Sequence, residues 1–256
     1  MKSKKEMTLD RVLSRFGVAS RTEAREAIAA GRLKVNGRVE QNPDAWVRPE
    51  LDALHLDGKR LRPVRRIYLA FYKPKGVITS RGDPDGRPTI YECLERRFAR
   101  VSPVGRLDKD TSGLLLLTND TEFANFVTDP RSGVPKTYLV KLNRRIEDAE
   151  LERLAAGVRM ERGDWARPSS VKRLEDRGKY SRLEVVLTEG KNREVRRMME
   201  ALGFQVLKLV RTRIGSLTLE GLQVGAYREL TPAEARNAVA PRSPRPRREA
   251  CITDGH

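Results

Sequence analysis

One stretch decides the fold of this chain: Gly105-Arg106-Leu107-Asp108-Lys109-Asp110-Thr111-Ser112-Gly113, which leads directly into four leucines at 114–117. The first part is polar and bounded by glycines, which is typical of a loop. The leucine run is short, continuous and followed by turn-forming residues, which predicts a strand buried on both faces. A buried strand is fixed in place, so we expect the loop before it to hold its side chains in defined positions.

Asp108 is the candidate catalytic residue of this loop. It is flanked by Arg106 and Lys109, whose positive charge favours the ionised carboxylate that a nucleophile or a base requires. A charged surface turn is the alternative interpretation, and for an arbitrary aspartate in a glycine-bounded loop it is the better one.

The composition indicates a partner that is a polyanion. The 256 residues include 52 Lys and Arg against 35 Asp and Glu, a net charge of +17, which favours nucleic acid. The chain has no apolar run near the roughly 20 residues of a membrane span and no apolar segment of a signal peptide, so we expect a cytoplasmic protein without membrane contact. With two cysteines and two histidines, a zinc site or a Ser-His-Asp triad is close to excluded.

The N-terminal segment is expected to be a small basic module. Ser20-Arg21-Thr22-Glu23 is a capping box that opens a short helix, and Asn36-Gly37 between apolar residues predicts a tight hairpin. RNA binding is the favoured interpretation of its clustered cations, and a solvated charged face is the alternative. The candidate RNA-binding residues of this module are Arg21, Arg25, Arg32, Lys34 and Arg38.

These patterns predict an α+β protein of four segments. Residues 1–60 form a small helix-helix-hairpin RNA-binding domain, and residues 61–66 form a basic linker. Residues 67–238 form a larger catalytic domain with a mixed, mainly antiparallel sheet and peripheral helices. Residues 239–256 form a basic, proline-rich tail that we expect to be disordered.

The Asp108 loop resembles the signature of the pseudouridine synthases, in the branch that modifies bacterial ribosomal RNA. Three further segments resemble other motifs of this family: Lys73-Pro74-Lys75-Gly76, Lys136-Thr137-Tyr138-Leu139-Val140 and Gly190-Lys191-Asn192-Arg193-Glu194-Val195-Arg196-Arg197-Met198. The N-terminal module resembles a small RNA-binding domain named after a small-subunit ribosomal protein. Its resemblance is carried by the segments 20–24 and 31–37.

The resemblance implies that the chain isomerises uridine to pseudouridine in ribosomal RNA and needs no cofactor. It implies that Asp108 is the catalytic carboxylate, that Tyr138 stacks on the target base and that Arg196 pairs with the carboxylate. Arg106 and Lys73 complete the expected substrate-binding residues. Arg193 and Arg197, at the start of a helix that we expect Asn192 to cap, are candidates for binding RNA phosphates. Either Leu207 or Leu209 is expected to lie beneath the uracil.

Several alternatives stay open at this point. The motifs favour large-subunit RNA as the substrate, and a small-subunit enzyme is the alternative. Asp108 can act as a nucleophile on the ribose or as a base that leads to a glycal. A non-catalytic ribosome assembly factor and a metal-dependent nuclease are the competing classes of function. The expected partner is ribosomal RNA or a pre-ribosomal particle, bound by a monomer.

Overall fold

The computed structural model describes residues 6–62 and 65–240. Part of the predicted linker (63–64) and most of the predicted tail (241–256) therefore lie outside the described residues. The helices are α1 (Leu9–Arg15), α2 (Arg21–Ala29), α3 (Thr121–Thr128), α4 (Asp148–Ala156), α5 (Glu194–Glu200) and α6 (Pro232–Val239).

The strands are mostly short in the N-terminal part and longer in the rest of the chain. The first nine are β1 (Met7–Thr8), β2 (Leu33–Val35), β3 (Arg38–Val39), β4 (Trp46–Val47), β5 (Leu54–Leu56), β6 (Lys59–Arg60), β7 (Tyr68–Lys73), β8 (Ser102–Pro103) and β9 (Ser112–Thr118). The others are β10 (Lys136–Leu142), β11 (Val158–Arg159), β12 (Trp165–Ala166), β13 (Ser170–Arg177), β14 (Tyr180–Leu187), β15 (Val206–Ile214), β16 (Leu217–Thr218) and β17 (Tyr227–Leu230).

The chain separates into two compact units. The first unit holds the residues up to Asp110 together with Leu115–Asn125 and Gly221–Pro232, and the second holds Thr111–Leu114, Phe126–Glu220 and the residues from Ala233. The boundary between them crosses β9, whose first residues belong to the second unit. The domain limits expected from the sequence stay a prediction.

The small N-terminal module, in the first unit, has the predicted order of two helices and a hairpin. The capping box is confirmed, because the Ser20 hydroxyl accepts from the Glu23 N–H while the Glu23 carboxylate accepts from the Ser20 N–H. One face of each helix packs against β2, β4 and β5. The buried core of the module consists of Leu9, Val12, Leu13, Phe16, Ala24, Ile28, Leu33, Val47 and Leu54.

Two tight turns set the register of the strands in this module. Asn36 and Gly37 have φ values of 50° and 85°, as a type I′ turn requires, and the predicted hairpin of β2 and β3 is confirmed. The Asn36 side chain also accepts from the Ala53 N–H and donates to Asp52. A second turn, at Asp57 and Gly58, joins β5 to β6 with φ values of 50° and 75°.

The sheet of the second unit has the order β13-β14-β10-β15-β9. Its pairs are antiparallel except for β15 with β9, which is parallel. The alternating inward residues of β10 and β14 are buried, whereas most of their neighbours are half-exposed. In the first unit, β7 pairs with β17 and β8 with β9, both antiparallel. The predicted α+β class with a mixed, mainly antiparallel sheet is confirmed.

The leucine run of β9 is as buried as the sequence predicts, since residues 114–117 are at most 1% exposed. At its start the backbone of Gly113 lies against the backbone of Arg211. A Cβ placed on Gly113 would lie 2.3 Å from the Arg211 carbonyl oxygen, and the φ of Gly113 is 122°. Only glycine fits this position, because a side chain would force the two strands apart.

None of the helices in the described part of the chain is both long enough and apolar enough to span a membrane.

We predict that Gly113→Ala lowers the free energy of unfolding by at least about 3 kcal/mol, because backbone strain adds to the displacement of β15. Urea unfolding followed by circular dichroism measures this loss.

Gly178→Ala is the matched control for this substitution. Gly178 also has a positive φ, 58°, but no atom lies within 4 Å of the place where its Cβ would be. Its substitution should therefore cost only the strain, about 1 kcal/mol. Equal losses in the two variants would contradict the close approach at Gly113.

Candidate active site

The Asp108 loop lies in the first unit, and a buried lysine donates a hydrogen bond to its backbone. Lys73 ends β7 and has no exposed surface. Its ammonium donates to the carbonyl oxygens of Asp108 at 3.1 Å and of Pro74 at 3.0 Å. A buried charge needs such partners, so the backbone at Asp108 is held where the Lys73 ammonium is satisfied.

Two further contacts hold the residues on either side of Asp108. The Thr79 hydroxyl donates to the Leu107 carbonyl at 2.8 Å, and the Gly76 N–H donates to the Lys109 carbonyl at 2.8 Å. Leu107 is buried, whereas Asp108 is half-buried and Arg106 is exposed. The loop thus has a fixed backbone and a carboxylate that solvent can reach, as a nucleophile or base requires.

Tyr138 lies on β10, in the second unit. It is 9% exposed and shares its face of the strand with the buried Val140 and Leu142. Its register partners are Val185 on β14 and Arg211 on β15, and a register shift separates Thr137 from Tyr138 on the β15 side. Of the two leucines expected beneath the uracil, Leu209 is buried and Leu207 is exposed.

Arg196 lies on α5, also in the second unit. It is 9% exposed, and its guanidinium donates to the carbonyl oxygen of Val206 at 3.1 Å. The helix starts one residue later than expected: the residue before it is Arg193, in a left-handed conformation with φ 48°, and not Asn192. The Lys191 N–H, which precedes the helix, donates to the Glu194 carboxyl at 3.0 Å, and the side chain of Arg193 does not cap the first turn.

A pair of carboxyl groups lies at the start of α5. Glu194 is 4% exposed and faces Glu189, which also pairs with Lys191 at 3.1 Å. Burial, together with the hydrogen bond and the charge of Glu189, raises the pKa of Glu194 to about 8. The raised pKa favours the protonated form of Glu194 near neutral pH.

Two buried cations lie close together near the Tyr138 strand. Arg211 is 4% exposed and donates from Nε to the Leu114 carbonyl at 2.7 Å. Lys136 donates to the Thr188 carbonyl, and burial and the charge of Arg211 lower the pKa of Lys136. Sequence reasoning singled out neither cation, although the alternation along β10 and β15 places Arg211 on the face of Tyr138.

Some of the other candidate RNA-binding residues form ion pairs with acids of the chain, and others do not. Arg193 and Arg197 pair with Glu200 and Asp164. In the N-terminal module, Arg32 pairs with Asp57, whereas Lys34 and Arg38 are exposed and form no ion pair with any residue that the structure describes.

Arg21 and Arg25 both pair with Asp10, a fully buried carboxylate in α1, at 2.9 and 3.3 Å. Burial raises the pKa of Asp10, but hydrogen bonds from Thr8, Arg21 and the Arg11 N–H outweigh it and lower the pKa to about 2. These two arginines therefore hold the module together, and about half of each side chain still faces solvent.

Within residues 6–62 and 65–240, no group of three or more His, Cys, Asp or Glu side chains is arranged to hold a metal ion. The structure brings Lys73 together with Asp108 in the first unit, and it places Tyr138, Arg193, Arg196 and Arg197 in the second.

We predict that Glu194→Gln removes a pH-dependent loss of stability. The pKa of Glu194 is raised in the folded state, so its stabilising contribution is full below about pH 4.5 and declines until about pH 8. A glutamine amide donates to Glu189 at every pH, so at pH 9 the variant should exceed the wild type by on the order of 3 kcal/mol. Urea unfolding at pH 5 and pH 9 measures both values.

Glu200→Gln is the control for this substitution, since Glu200 is an exposed acid on the same helix. Its difference from the wild type should be small and nearly the same at both pH values. A wild type whose stability is flat from pH 5 to pH 9 would contradict the protonated state of Glu194.

Comparison with protein families identifies two regions of the chain. The family of RNA pseudouridylate synthases matches residues 67–201, and the S4 domain matches residues 7–51. The first match contains the Asp108 loop, Tyr138 and Arg196, and the second contains the N-terminal helices and hairpin.

Relatives resemble the chain over most of its length. An RNA pseudouridine synthase of Aquifex aeolicus is 40% identical over 90% of this chain and 92% of its own. The ribosomal large subunit pseudouridine synthase B of Bacillus subtilis is 40% identical over 91% of this chain and 95% of its own. The protein of the same name from Escherichia coli strain K12 is 40% identical over 88% of this chain and 80% of its own.

A solved structure agrees with these matches. The crystal structure of a pseudouridylate synthase covers 91% of this chain and all of its own, with a TM-score of 0.65 and 30% identity. The match over more than half of the chain and the identity to relatives of similar length lead to one conclusion. The chain belongs to the RNA pseudouridylate synthase family and carries an N-terminal S4 domain.

Proposed function

We propose that this enzyme converts uridine to pseudouridine in large-subunit ribosomal RNA, with Asp108 as its essential carboxylate. The observation that carries the proposal is the identity of 40% over about nine-tenths of the chain to relatives named for the large ribosomal subunit. The net charge of +17 supports an RNA substrate, because basic surfaces bind the phosphate backbone.

The geometry of the Asp108 loop supports the assignment of the carboxylate. The reaction breaks the bond between ribose C1′ and uracil N1 and forms one between C1′ and C5. The base then loses the proton from C5 and gains one at N1, so no oxidant, reductant or added group is consumed. A carboxylate at a fixed position can attack C1′ or remove the proton from C2′, and both routes use the same loop.

The remaining site residues have roles that follow from this chemistry. The target base must leave its stack in the RNA before C1′ can be reached, and Tyr138 is the aromatic residue proposed to stack on it. Arg106 is exposed next to Asp108 and is proposed to bind a phosphate of the substrate. Pairing of Arg196 with the catalytic carboxylate, as the family resemblance implies, stays a prediction.

Lys73 is proposed to act through the loop backbone. Its ammonium is buried and donates to the Asp108 carbonyl, so it fixes the position of the Asp108 backbone relative to the end of β7. A direct contact of Lys73 with the substrate stays a prediction.

We predict that Asp108→Asn abolishes pseudouridine formation and leaves RNA affinity nearly unchanged, because the amide keeps the shape of the side chain but is neither a nucleophile nor a base. The measurement is carbodiimide mapping with primer extension on ribosomal RNA from cells that lack the gene and are supplied with either form. A reverse-transcription stop present only with the wild type identifies the subunit and the nucleotide together.

Asp110→Asn is the matched control, since it removes the same charge from the same loop. It should retain the stop. Identical maps for wild type and Asp108→Asn would overturn the proposal and leave a binding protein of ribosome assembly as the function. Loss of the wild-type activity on adding a chelator would instead favour metal-dependent chemistry.

We predict that Lys73→Met lowers kcat by about 100-fold with little change in KM, because the loop loses the donor that positions Asp108. Single-turnover and steady-state assays on an RNA transcript separate the two constants. Lys75→Met, two residues away on an exposed position, should keep both constants within about threefold of the wild type. A rise in KM alone in Lys73→Met would instead indicate that Lys73 binds the substrate.

A further inference from the structure

One face of the sheet in the second unit carries a row of three cations on adjacent strands. Lys141 on β10 lies directly opposite Arg182 on β14 and directly opposite Lys208 on β15. Neighbouring strands lie about 4.8 Å apart, so the three Cα atoms span about 10 Å. Side chains alternate along β10, which places this row on the face opposite Tyr138.

The charges of this row are only partly balanced by acids. Arg182 pairs with Glu175 at 2.5 Å. The other acid of this face, Glu184, lies opposite Lys172 on β13.

That arrangement leaves Lys141 and Lys208 facing each other. Neither forms an ion pair with any acid in the described part of the chain, whereas six described arginines of the second unit do. Like charges placed directly opposite in a sheet destabilise it. The direct opposition of these two charges therefore does not stabilise the fold.

The row encloses a shallow cavity with an aliphatic floor. The cavity has a volume of about 140 Å³ and is lined by Leu139, Lys141, Arg182 and Lys208. At one end, the Lys141 ammonium lies 4.2 Å from the centre of the Tyr180 ring, and the Lys179 ammonium lies 5.5 Å from the same centre. The positive row thus continues around an aromatic ring to a fourth cation.

We propose that this face, which we call the lysine row (Lys141, Arg182 and Lys208), binds the phosphate backbone of the RNA away from the target uridine. The proposal rests on the proposed function, because it takes ribosomal RNA as the substrate. Lysine ammonium groups bind phosphate as point charges and need no base contacts, so the row would add affinity without sequence preference. Its place on the face opposite Tyr138 gives the RNA a second contact, distinct from the one at the reacting base.

The test is the salt dependence of RNA binding by Lys141→Gln/Lys208→Gln. An unmodified transcript of large-subunit ribosomal RNA is the probe, titrated between about 50 and 200 mM salt. Loss of two phosphate contacts should make the slope of log K against log salt shallower by about 1.5 and weaken binding at low salt by tenfold or more. The midpoint of urea unfolding should stay close to that of the wild type, because the lost repulsion between the two ammonium groups offsets the lost contact of Lys141 with the Tyr180 ring.

Arg159→Gln/Arg167→Gln is the matched control. It removes the same net charge from two exposed positions of the same unit that form no ion pair with any described residue. Its slope should remain that of the wild type. An unchanged slope in the lysine variant, an equal change in the control, or a lowered unfolding midpoint in the lysine variant would each overturn the proposal.

Pseudouridine formation measured in parallel at saturating RNA separates this inference from the proposed function. If the wild type forms no pseudouridine in the transcript, the proposed function fails whatever the slopes are. If the wild type is active and the lysine variant binds with the wild-type slope, only the lysine row is refuted. Equal RNA binding combined with lost binding to ribosomal proteins would assign the row to an acidic protein and overturn it as an RNA surface.

Discussion

The close approach of two backbones at Gly113 is the constraint on which the catalytic part of the structure depends. The missing side chain lets β15 lie against the start of β9, and the Arg211 side chain then reaches the Leu114 carbonyl. This contact fixes where β9 begins. Because the Asp108 loop runs directly into β9, the residues just before Ser112 cannot shift along the strand. The leucines that follow are buried and prevent a change of register.

The basic residues of this protein differ in the partners that they contact and in the role that follows from those partners. Arg21 and Arg25 hold the N-terminal module together and are paired with the buried Asp10. Lys73 is buried, and its ammonium donates to carbonyl oxygens that include the one of Asp108, which positions the loop backbone. Lys141 and Lys208, which form no ion pair with any described acid, lie on the face that we propose to bind phosphate. Net charge alone therefore does not show which basic residues meet RNA, since many of them are already engaged within the fold.

Local signals in the sequence predicted the architecture well. The capping box at Ser20, the turn at Asn36-Gly37 and the leucine run of β9 each depend on residues close together in the chain, and all are confirmed. The family resemblance of the Asp108 loop is confirmed as well. These features could be predicted because hydrogen-bonding pattern and hydrophobic period determine them locally.

Features that depend on distant residues could not be predicted. Lys73 was expected at the substrate, but nothing in its own segment shows that it lies beneath Asp108, 35 residues further along the chain. The start of α5 at Glu194 follows the left-handed conformation of Arg193, and the contact between Glu194 and Glu189 forms only when the strand and the helix have packed. The lysine row likewise depends on the pairing register of three strands.

The turn at Asn36 has a consequence for the chemical durability of the protein. Asparagine followed by glycine is the pair most prone to lose ammonia with age, through attack of the next backbone nitrogen on the side-chain amide. Here that amide is engaged on both sides, by the Ala53 N–H and by the Asp52 carboxylate. Conversion of Asn36 to aspartate would place its carboxylate beside that of Asp52. The hydrogen bonds of the Asn36 amide therefore slow deamidation, and the aspartate product would lose the bond to Asp52.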